Sequence, residues 1–279
     1  MKKKLINNFN DLSATDWIKE TVSVWTQKGL GAKHPDTKIE KEHPAPYSFT
    51  DISRIINFFT KKNDKVLDPF LGIGSTLKAC AINGRQGIGI ELVDKYVKLS
   101  KERLKSELTD LFIEKNQKII KGDSRLKLKK IDSDSIDLVV TSPPYWNILK
   151  KKDHKVKSTR EDANLDTQYS NLENDLGNID SYDQFLIELQ KVFKECFRVL
   201  KNKKHLVVVV SDFRNKSKLY MFHSDITAKI EELGFVTKGC NILYQRHKRV
   251  FPYGYPYSYV PNIHHQYILI YQKDEKILK

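Results

Sequence analysis

The chain has 279 residues, of which 39% are hydrophobic and 30% are charged. This length and apolar content are sufficient for a buried core and exclude a wholly disordered chain. No apolar run approaches the roughly 20 residues that a membrane-spanning helix needs. The basic start MKKKLINNFNDL lacks the apolar segment of a secretory signal. The net charge of +14 favours a polyanionic partner such as nucleic acid, although a lysine-rich solvated surface would give the same charge.

The cysteines Cys80, Cys196 and Cys240 are far apart in the sequence, and no Cys-x-x-Cys pair occurs. Disulfide frameworks and structural zinc sites use cysteines at characteristic short spacings. The sequence therefore predicts no disulfide and no metal site. A reduced, cytoplasmic protein is expected.

The pattern of apolar residues predicts the elements in chain order. Residues 1–45 are polar and form an N-terminal arm. A helix is predicted over 50–60, with Thr50 or Asp51 as its N-cap. The later predicted helices cover 74–84, 93–108, 182–200 and 221–234. The predicted strands cover 65–69, 87–92, 118–123, 135–144, 205–212, 235–245 and 265–273.

The alternation of strands and helices predicts an α/β fold with a seven-stranded, mostly parallel sheet. The last two strands follow each other without a helix, so one of them should run antiparallel. Segments 147–180 and 245–263 fit neither strand nor helix. Structureless loops of this length are uncommon unless they are functional or disordered. Residues 1–279 are therefore expected to form a single domain with two long loops.

Two motifs at strand ends are typical of a nucleotide-like ligand. In DPFLGIGST (68–76), two glycines allow the backbone to approach a ligand, and the next helix offers free N–H groups. A tight strand-to-helix turn explains the same residues. Glu91 follows Asp68 by 23 residues, at the position where an acidic residue binds ribose hydroxyls in dinucleotide folds. Helix capping is the alternative role for Glu91.

Two further motifs follow the third and fourth predicted strands. Asp123, in KGDSR, can accept a hydrogen bond from an adenine amine, or it can simply form a turn. The TSPPYW motif (141–146) is harder to explain as structure alone. Its two prolines donate no N–H, so neighbouring carbonyls are left to face outward, and an aromatic pair follows at the crevice where ligands bind.

Taken together, these four motifs resemble motifs I to IV of the S-adenosylmethionine-dependent amino-methyltransferases of DNA, which act on cytosine N4 or adenine N6. HPAPYSF (43–49) resembles their motif X, and the order X, I, II, III, IV is the unpermuted one. The resemblance implies a Rossmann-like class I methyltransferase fold and S-adenosyl-L-methionine as the cofactor. The cofactor-binding residues that it implies are Pro46, Tyr47, Asp68, Pro69, Phe70, Gly72, Gly74, Ser75, Thr76, Glu91, Asp123 and Ser124.

The resemblance also assigns catalysis to Ser142, Pro143, Pro144 and Tyr145. The Ser142 side chain and the Pro143 carbonyl can accept hydrogen bonds from an amine, and Tyr145 can stack on a base turned out of the duplex. Serine before Pro-Pro is commoner in the enzymes that modify cytosine, so cytosine N4 is the expected target. Cytosine C5 enzymes carry their nucleophile in a Pro-Cys pair. In this sequence no cysteine follows a proline, which disfavours thiolate catalysis.

Double-stranded DNA with the target base flipped out is the expected partner. A cognate restriction endonuclease would be a functional partner, but this sequence does not reveal whether one accompanies the protein. The expected DNA contacts are Trp146, Lys150, Lys151, Lys152, Lys155, Arg246, Lys248, Arg249, Tyr253 and Tyr255. A solvated charged loop and aromatic packing are alternative roles for these residues. The alternatives for the whole protein are an adenine N6 enzyme, an RNA base methyltransferase, an inactive DNA-binding protein and a protein-glutamine methyltransferase.

Overall fold

The computed structural model describes residues 6–27, 34–107, 115–150 and 166–276. The strands are β1 (Val24–Thr26), β2 (Lys65–Asp68), β3 (Gln86–Glu91), β4 (Gln117–Lys121), β5 (Ile136–Thr141), β6 (Leu200–Val210), β7 (Phe213–Asn215), β8 (Lys218–Tyr220), β9 (Phe235–Tyr244) and β10 (His265–Lys273). The α-helices are α1 (Ala14–Glu20), α2 (Pro35–Lys41), α3 (Phe49–Phe59), α4 (Ser75–Ile82), α5 (Asp94–Glu107), α6 (Ser124–Lys127), α7 (Tyr182–Val199) and α8 (Phe222–Glu231). None of these helices is long and apolar enough to cross a bilayer.

Within the described residues, the main sheet has eight strands in the order β1-β9-β10-β6-β5-β2-β3-β4. Within it, β10 runs antiparallel to both of its neighbours, and the other pairs are parallel. The predicted α/β fold, with one antiparallel strand near the C-terminus, is confirmed. The predicted count of seven strands is corrected to eight, because β1 of the N-terminal arm pairs with β9 through Trp25 and Leu243. A strand of three residues is too short to show a period in the sequence.

The sheet is buried on both faces by helices. In β6, Val208 and Val210 pack with α7 and α8, whereas Val207 and Val209 pack with α3 and α4. This alternation is the period of two that a strand imposes. The predicted seam of α7 is confirmed, because Phe185, Leu189, Val192, Cys196 and Val199 are all buried.

The N-terminal arm contains structure that its polar composition did not indicate. Its helix α2 contributes Asp36, whose buried carboxylate lies 2.7 Å from Arg103 and also pairs with Lys78. The expected N-cap of the helix over 50–60 is corrected, since the Ser48 hydroxyl accepts a hydrogen bond from the Thr50 N–H. A buried ion pair therefore attaches the arm to the helices beside the glycine turn.

Candidate active site

The carboxyl ends of the parallel strands meet at one edge of the sheet and form a cleft. Asp68 ends β2, Glu91 ends β3, Thr141 ends β5, and Asp123 follows β4. The cleft spans about 700 Å³, a volume that includes space open to solvent. The predicted site residues that line it are Pro69, Phe70, Gly72, Glu91, Asp123, Ser124, Ser142, Pro143, Pro144 and Tyr145.

The turn between β2 and α4 requires its two glycines. Gly72 and Gly74 have φ values of +55° and +85°, in the left-handed region that disfavours side chains. A Cβ at Gly74 would lie 3.2 Å from the Cβ of Ser100, and a Cβ at Gly72 would lie 3.4 Å from the His43 ring. The turn is therefore packed closely between α5 and the residues before α3, and the Gly72 backbone remains on the cleft wall.

Glu91 connects β3 to this turn. Its Oε2 accepts a hydrogen bond from the Gly72 N–H, and its Oε1 accepts one from the Val93 N–H, both at 2.8 Å. Burial raises the pKa of Glu91 to about 7, against the opposing effect of these two hydrogen bonds. Each carboxylate oxygen has a second lone pair, so Glu91 can also accept from hydroxyls of a ligand.

Asp123 combines the two roles that the sequence allowed. It caps α6, where its Oδ1 accepts from the Arg125 N–H at 2.9 Å, and it also lines the cleft. The Arg125 guanidinium bridges Asp123 and Glu188, with 2.6 Å to each carboxylate. Burial opposes ionisation, but the hydrogen bonds from Arg125 outweigh it and lower the pKa of Asp123. This acceptor therefore stays ionised at neutral pH.

The side chain of Asp68, one of the expected cofactor-binding residues, does not line the cleft. Its side chain is fully buried. Its Oδ1 accepts from the Phe70 N–H at 3.0 Å and from the Thr141 hydroxyl at 2.6 Å, and its Oδ2 accepts from the Tyr47 and Thr76 hydroxyls. Asp68 therefore holds the glycine turn from behind.

Five other expected cofactor residues also lie outside the lining of the cleft. Tyr47 and Thr76 bind Asp68, as described above. The Ser75 hydroxyl accepts from Arg103 at 3.1 Å, beneath the turn, and Pro46 is exposed. The fifth is Gly74, which is needed for the backbone of the turn. Tyr47, Gly74, Ser75 and Thr76 therefore shape or support the turn.

The Ser142–Tyr145 turn forms the wall of the cleft at the end of β5. The Tyr145 ring is 9% exposed and packs against Phe213 and Phe222, at centroid distances of 6.5 and 6.0 Å. Its hydroxyl accepts a hydrogen bond from Gln266 Nε2 at 3.4 Å. Burial raises the pKa of Tyr145, so the hydroxyl remains neutral.

The cleft also contains residues that the sequence analysis did not select. The centroid of the His43 ring lies 4.6 Å from that of Tyr96 and 5.7 Å from that of Tyr169, and all three rings line the cleft. Asp175 is buried at the same cleft and accepts from the Gly177 N–H at 2.8 Å. His43 opens the HPAPYSF motif and could have been found there. Tyr169 and Asp175 lie in segment 147–180, where no pattern marked them.

A model of the DNA methylase family of the N6/N4 type matches residues 2–102 and 136–279. The chain belongs to this family. S-adenosylmethionine is the methyl donor of the family, and the Gly72 turn, Glu91 and Asp123 offer the acceptors and close backbone that such a cofactor requires.

Curated relatives of the DNA methylase family align with parts of the chain. The type II methyltransferase M.BglI of Bacillus subtilis is 32% identical over 97 residues, which are 35% of this chain and 26% of the relative. M2.LlaDCHI of Lactococcus lactis is 36% identical over 106 residues, which are 38% of this chain and 36% of the relative. The aligned regions thus span about a quarter to a third of these relatives.

Two solved structures are similar to parts of the chain. TTHA0409 of Thermus thermophilus, described as a DNA modification methylase and complexed with S-adenosyl-L-methionine, is 29% identical, with a TM-score of 0.39 and coverage of 55% of this chain and 54% of that one. A methyltransferase-like protein from Bacillus halodurans is 13% identical, with a TM-score of 0.50 and coverage of 81% and 98%. At this low identity, the second likeness concerns the fold alone.

Trp146, one of the expected DNA contacts, is buried in the free protein. The side chain is buried, and its Nε1 donates to the Ile179 carbonyl at 2.8 Å. The indole packs against Tyr182 and Tyr220. The Trp146 backbone has a φ of +37°. Trp146 therefore anchors the end of the Ser142–Tyr145 turn to α7 and to the hairpin of β7 and β8.

The two candidate DNA loops differ in how far the structure describes them. Lys151, Lys152 and Lys155 lie outside the described residues, and Lys150 ends a 3₁₀ turn. Segment 147–180 is not wholly irregular, since it also contains a 3₁₀ turn at Leu176–Asn178. In segment 245–263 the side chains are exposed at Arg246, Lys248, Arg249, Tyr253 and Tyr255. This second loop has the charge and the exposed rings that a DNA surface requires.

The three cysteines lie away from the cleft. Cys80 and Cys196 are fully buried, and burial raises the pKa of both thiols. Cys240 is exposed on β9. A thiolate nucleophile is therefore not part of this site.

Proposed function

We propose that this protein transfers a methyl group from S-adenosylmethionine to the N4 amine of cytosine in duplex DNA. The observation that carries the proposal is the juxtaposition of the Ser142–Tyr145 turn with Glu91 and Asp123 on one cleft. A methyl donor bound by the two carboxylates would lie against the turn that can hold an amine. Membership of the DNA methylase family supports this assignment.

The cleft has the charge that the cofactor would need. Glu91 would accept the ribose hydroxyls, and Asp123 would accept the adenine amine. Asp175 adds a further buried carboxyl group, which favours a cationic ligand. S-adenosylmethionine supplies an electrophilic methyl group on a positively charged sulfur. Phe70, Pro69, Gly72 and Ser124 would enclose it.

The catalytic turn would make the amine reactive. The lone pair of an exocyclic amine is delocalised into the base and is a poor nucleophile. The Ser142 hydroxyl and the Pro143 carbonyl would each accept a hydrogen bond from the amine and draw the nitrogen towards tetrahedral geometry. Tyr145 would stack on the base and hold the amine in line with the methyl group. The methylated nitrogen is cationic and then releases one proton to water.

The target base would have to leave the DNA stack. Tyr145 is recessed between Phe213 and Phe222, where an intact duplex cannot reach it. Serine at position 142 favours cytosine over adenine by family association. The type II methyltransferases among the relatives support a role in restriction–modification, with an endonuclease as the functional partner. We place the reaction in the cytoplasm of a prokaryotic or viral host cell.

A methyl-transfer assay tests the proposal. Mixed-sequence duplex DNA is incubated with labelled S-adenosylmethionine, and the nucleosides are separated by mass. A parallel incubation contains RNA in place of DNA. N4-methylcytosine supports the proposal, N6-methyladenine overturns the choice of base, and label in RNA alone overturns the choice of substrate. Ser142→Ala should lower the single-turnover rate by about 100-fold or more and leave cofactor affinity unchanged. Ser224→Ala, at an exposed position of α8, is the matched control.

A further inference from the structure

A chain of side-chain hydrogen bonds runs along the cleft edge of the sheet and ends at the catalytic turn. Asp51 Oδ2 accepts from Gln27 Nε2 at 2.7 Å, and Gln27 Oε1 accepts from Gln245 Nε2 at 3.0 Å. The same Gln245 Nε2 lies 3.4 Å from Gln266 Oε1, and Gln266 Nε2 lies 3.4 Å from the Tyr145 hydroxyl. The chain therefore connects α3 and the N-terminal arm with Tyr145.

The carboxylate at one end sets the direction of every amide in this chain. A carboxylate oxygen only accepts hydrogen bonds, so the NH₂ group of Gln27 faces Asp51 and its carbonyl faces Gln245. Gln245 must then direct its own NH₂ group along the chain, and its Oε1 is buried without a partner among the described residues. Burial raises the pKa of Asp51, while the hydrogen bond from Gln27 and the Arg54 charge favour the carboxylate.

The last amide therefore presents a donor to the catalytic turn. Gln266 Oε1 faces Gln245, so its NH₂ group is directed towards the Tyr145 hydroxyl. Gln245 also closes the base of the loop at 245–263, because its N–H donates to the His264 carbonyl at 2.8 Å. Gln266 thus lies between the catalytic turn and the loop that carries exposed basic residues.

A fixed NH₂ donor distinguishes the two candidate bases. Beside its amine, cytosine presents a ring nitrogen and then a carbonyl oxygen along its pairing edge. Adenine presents a ring nitrogen and then a C–H group. An NH₂ donor directed at the group beyond the ring nitrogen would be paired by the carbonyl oxygen of cytosine and left unpaired by the C–H group of adenine. A site that leaves such a donor unpaired rejects the wrong substrate.

We propose that Gln266 selects cytosine by donating to its ring carbonyl, and that Asp51, Gln27 and Gln245 fix the orientation of this donor. The inference rests on the proposed function and deepens it. The choice of cytosine would then have a physical reason, whereas Ser142 indicates it only by family association.

The test compares variants of Gln266 in single-turnover methylation of mixed-sequence duplex DNA, with N4-methylcytosine and N6-methyladenine both quantified. Gln266→Leu should lower the rate at cytosine by about tenfold or more and raise the adenine share of the product. Gln266→Glu keeps the shape and replaces the donor with an acceptor, so it should show the same shift. Asp51→Asn should shift the ratio in the same direction but less, because an amide can present either group to Gln27. Cofactor affinity should not change in any of these variants.

Gln272→Leu is the matched control on the same strand, at its opposite end, where the Gln272 amide donates to the Lys203 carbonyl at 2.9 Å. If both Gln266 variants keep the cytosine rate and the product ratio of Gln272→Leu, the inference is overturned while the proposed function stands. If the wild-type protein itself yields N6-methyladenine or no methylated base, the proposed function fails and the inference fails with it. A thermal unfolding curve identifies a variant that has merely lost its fold, and the second Gln266 variant then decides.

Discussion

The Thr141 hydroxyl donates a hydrogen bond of 2.6 Å to Oδ1 of Asp68, and this bond joins the end of β5 to the end of β2. The same Oδ1 accepts from the Phe70 N–H at the start of the glycine turn. Because Ser142 follows Thr141 directly, the buried Asp68 carboxylate positions both the Ser142–Tyr145 turn and the glycine turn. The distance between methyl donor and amine would depend on this contact.

Removing the Thr141 hydroxyl should destabilise the protein. Thr141→Val keeps the shape of the side chain but leaves the Asp68 carboxylate with one donor fewer. We expect the free energy of unfolding to fall by about 1–3 kcal/mol, measured by urea denaturation, and the methyl-transfer rate to fall as well. Thr141→Ser keeps the hydroxyl and is the control. Equal stability of the two variants would show that the contact contributes little.

Cofactor affinity should depend on pH through Glu91. Burial raises the pKa of Glu91 to about 7, so the free protein is partly protonated near neutral pH. The carboxylate is the better acceptor for hydroxyls and the better partner for a cationic ligand, so affinity should rise as the pH rises through about 7. Titration calorimetry across this range should show the rise in the wild type and not in Glu91→Gln. A parallel pH dependence in both proteins would sink this assignment.

The same group should affect stability with the opposite sign. The pKa of Glu91 is raised from 4.5 to about 7 in the folded protein, so the folded state holds its proton more tightly than the unfolded chain. Without cofactor, stability from this group is greatest below 4.5 and is lost as the pH rises to about 7. Burial also raises the pKa of Glu40 to about 7. The measurement is therefore the difference in unfolding free energy between wild type and Glu91→Gln, obtained from urea unfolding curves. Relative to the variant, the wild type should lose stability as the pH rises from 4.5 to about 7.

Gly74→Ala should weaken the cofactor turn. The residue has φ +85°, and an added Cβ would lie 3.2 Å from the Ser100 Cβ. The left-handed conformation costs a side chain about 1–2 kcal/mol. We expect lower stability and weaker cofactor binding by calorimetry. Gly239→Ala in β9, where the nearest atom is Ile270 Cδ1 at 3.4 Å, should change cofactor binding little, and an equal loss there would contradict the explanation.

The exposed loop arginines should contribute to DNA affinity through phosphates. Neutralising a phosphate changes the slope of log affinity against log salt by about 0.9. The double variant Arg246→Ala and Arg249→Ala should therefore reduce the slope by about 2, measured by fluorescence anisotropy with duplex DNA. Lys62→Ala with Lys65→Ala, at the opposite edge of the sheet beside the start of β2, should not. An unchanged slope in the loop variant would remove this loop from the DNA surface.

Local patterns were sufficient to predict most elements and much of the site. The valines of β6 and the seam of α7 predicted buried elements, because burial on one or two faces produces a period in the sequence. The glycine turn, Glu91, Asp123 and the Ser142–Tyr145 turn were found at strand ends, and parallel strands bring their carboxyl ends to one edge. The short strand β1 carried no such period and was missed.

The sequence by itself determined the α/β fold, the strand ends that carry the motifs, and a family resemblance that the family match confirmed. Only the tertiary structure decided that Asp68 is a buried organiser and that Trp146 is an anchor. It also brought Gln27 to Gln245, which are 218 residues apart. The physical reason is that a period or a turn depends on neighbouring residues, whereas the partners of a side chain depend on which distant strands pair beside it.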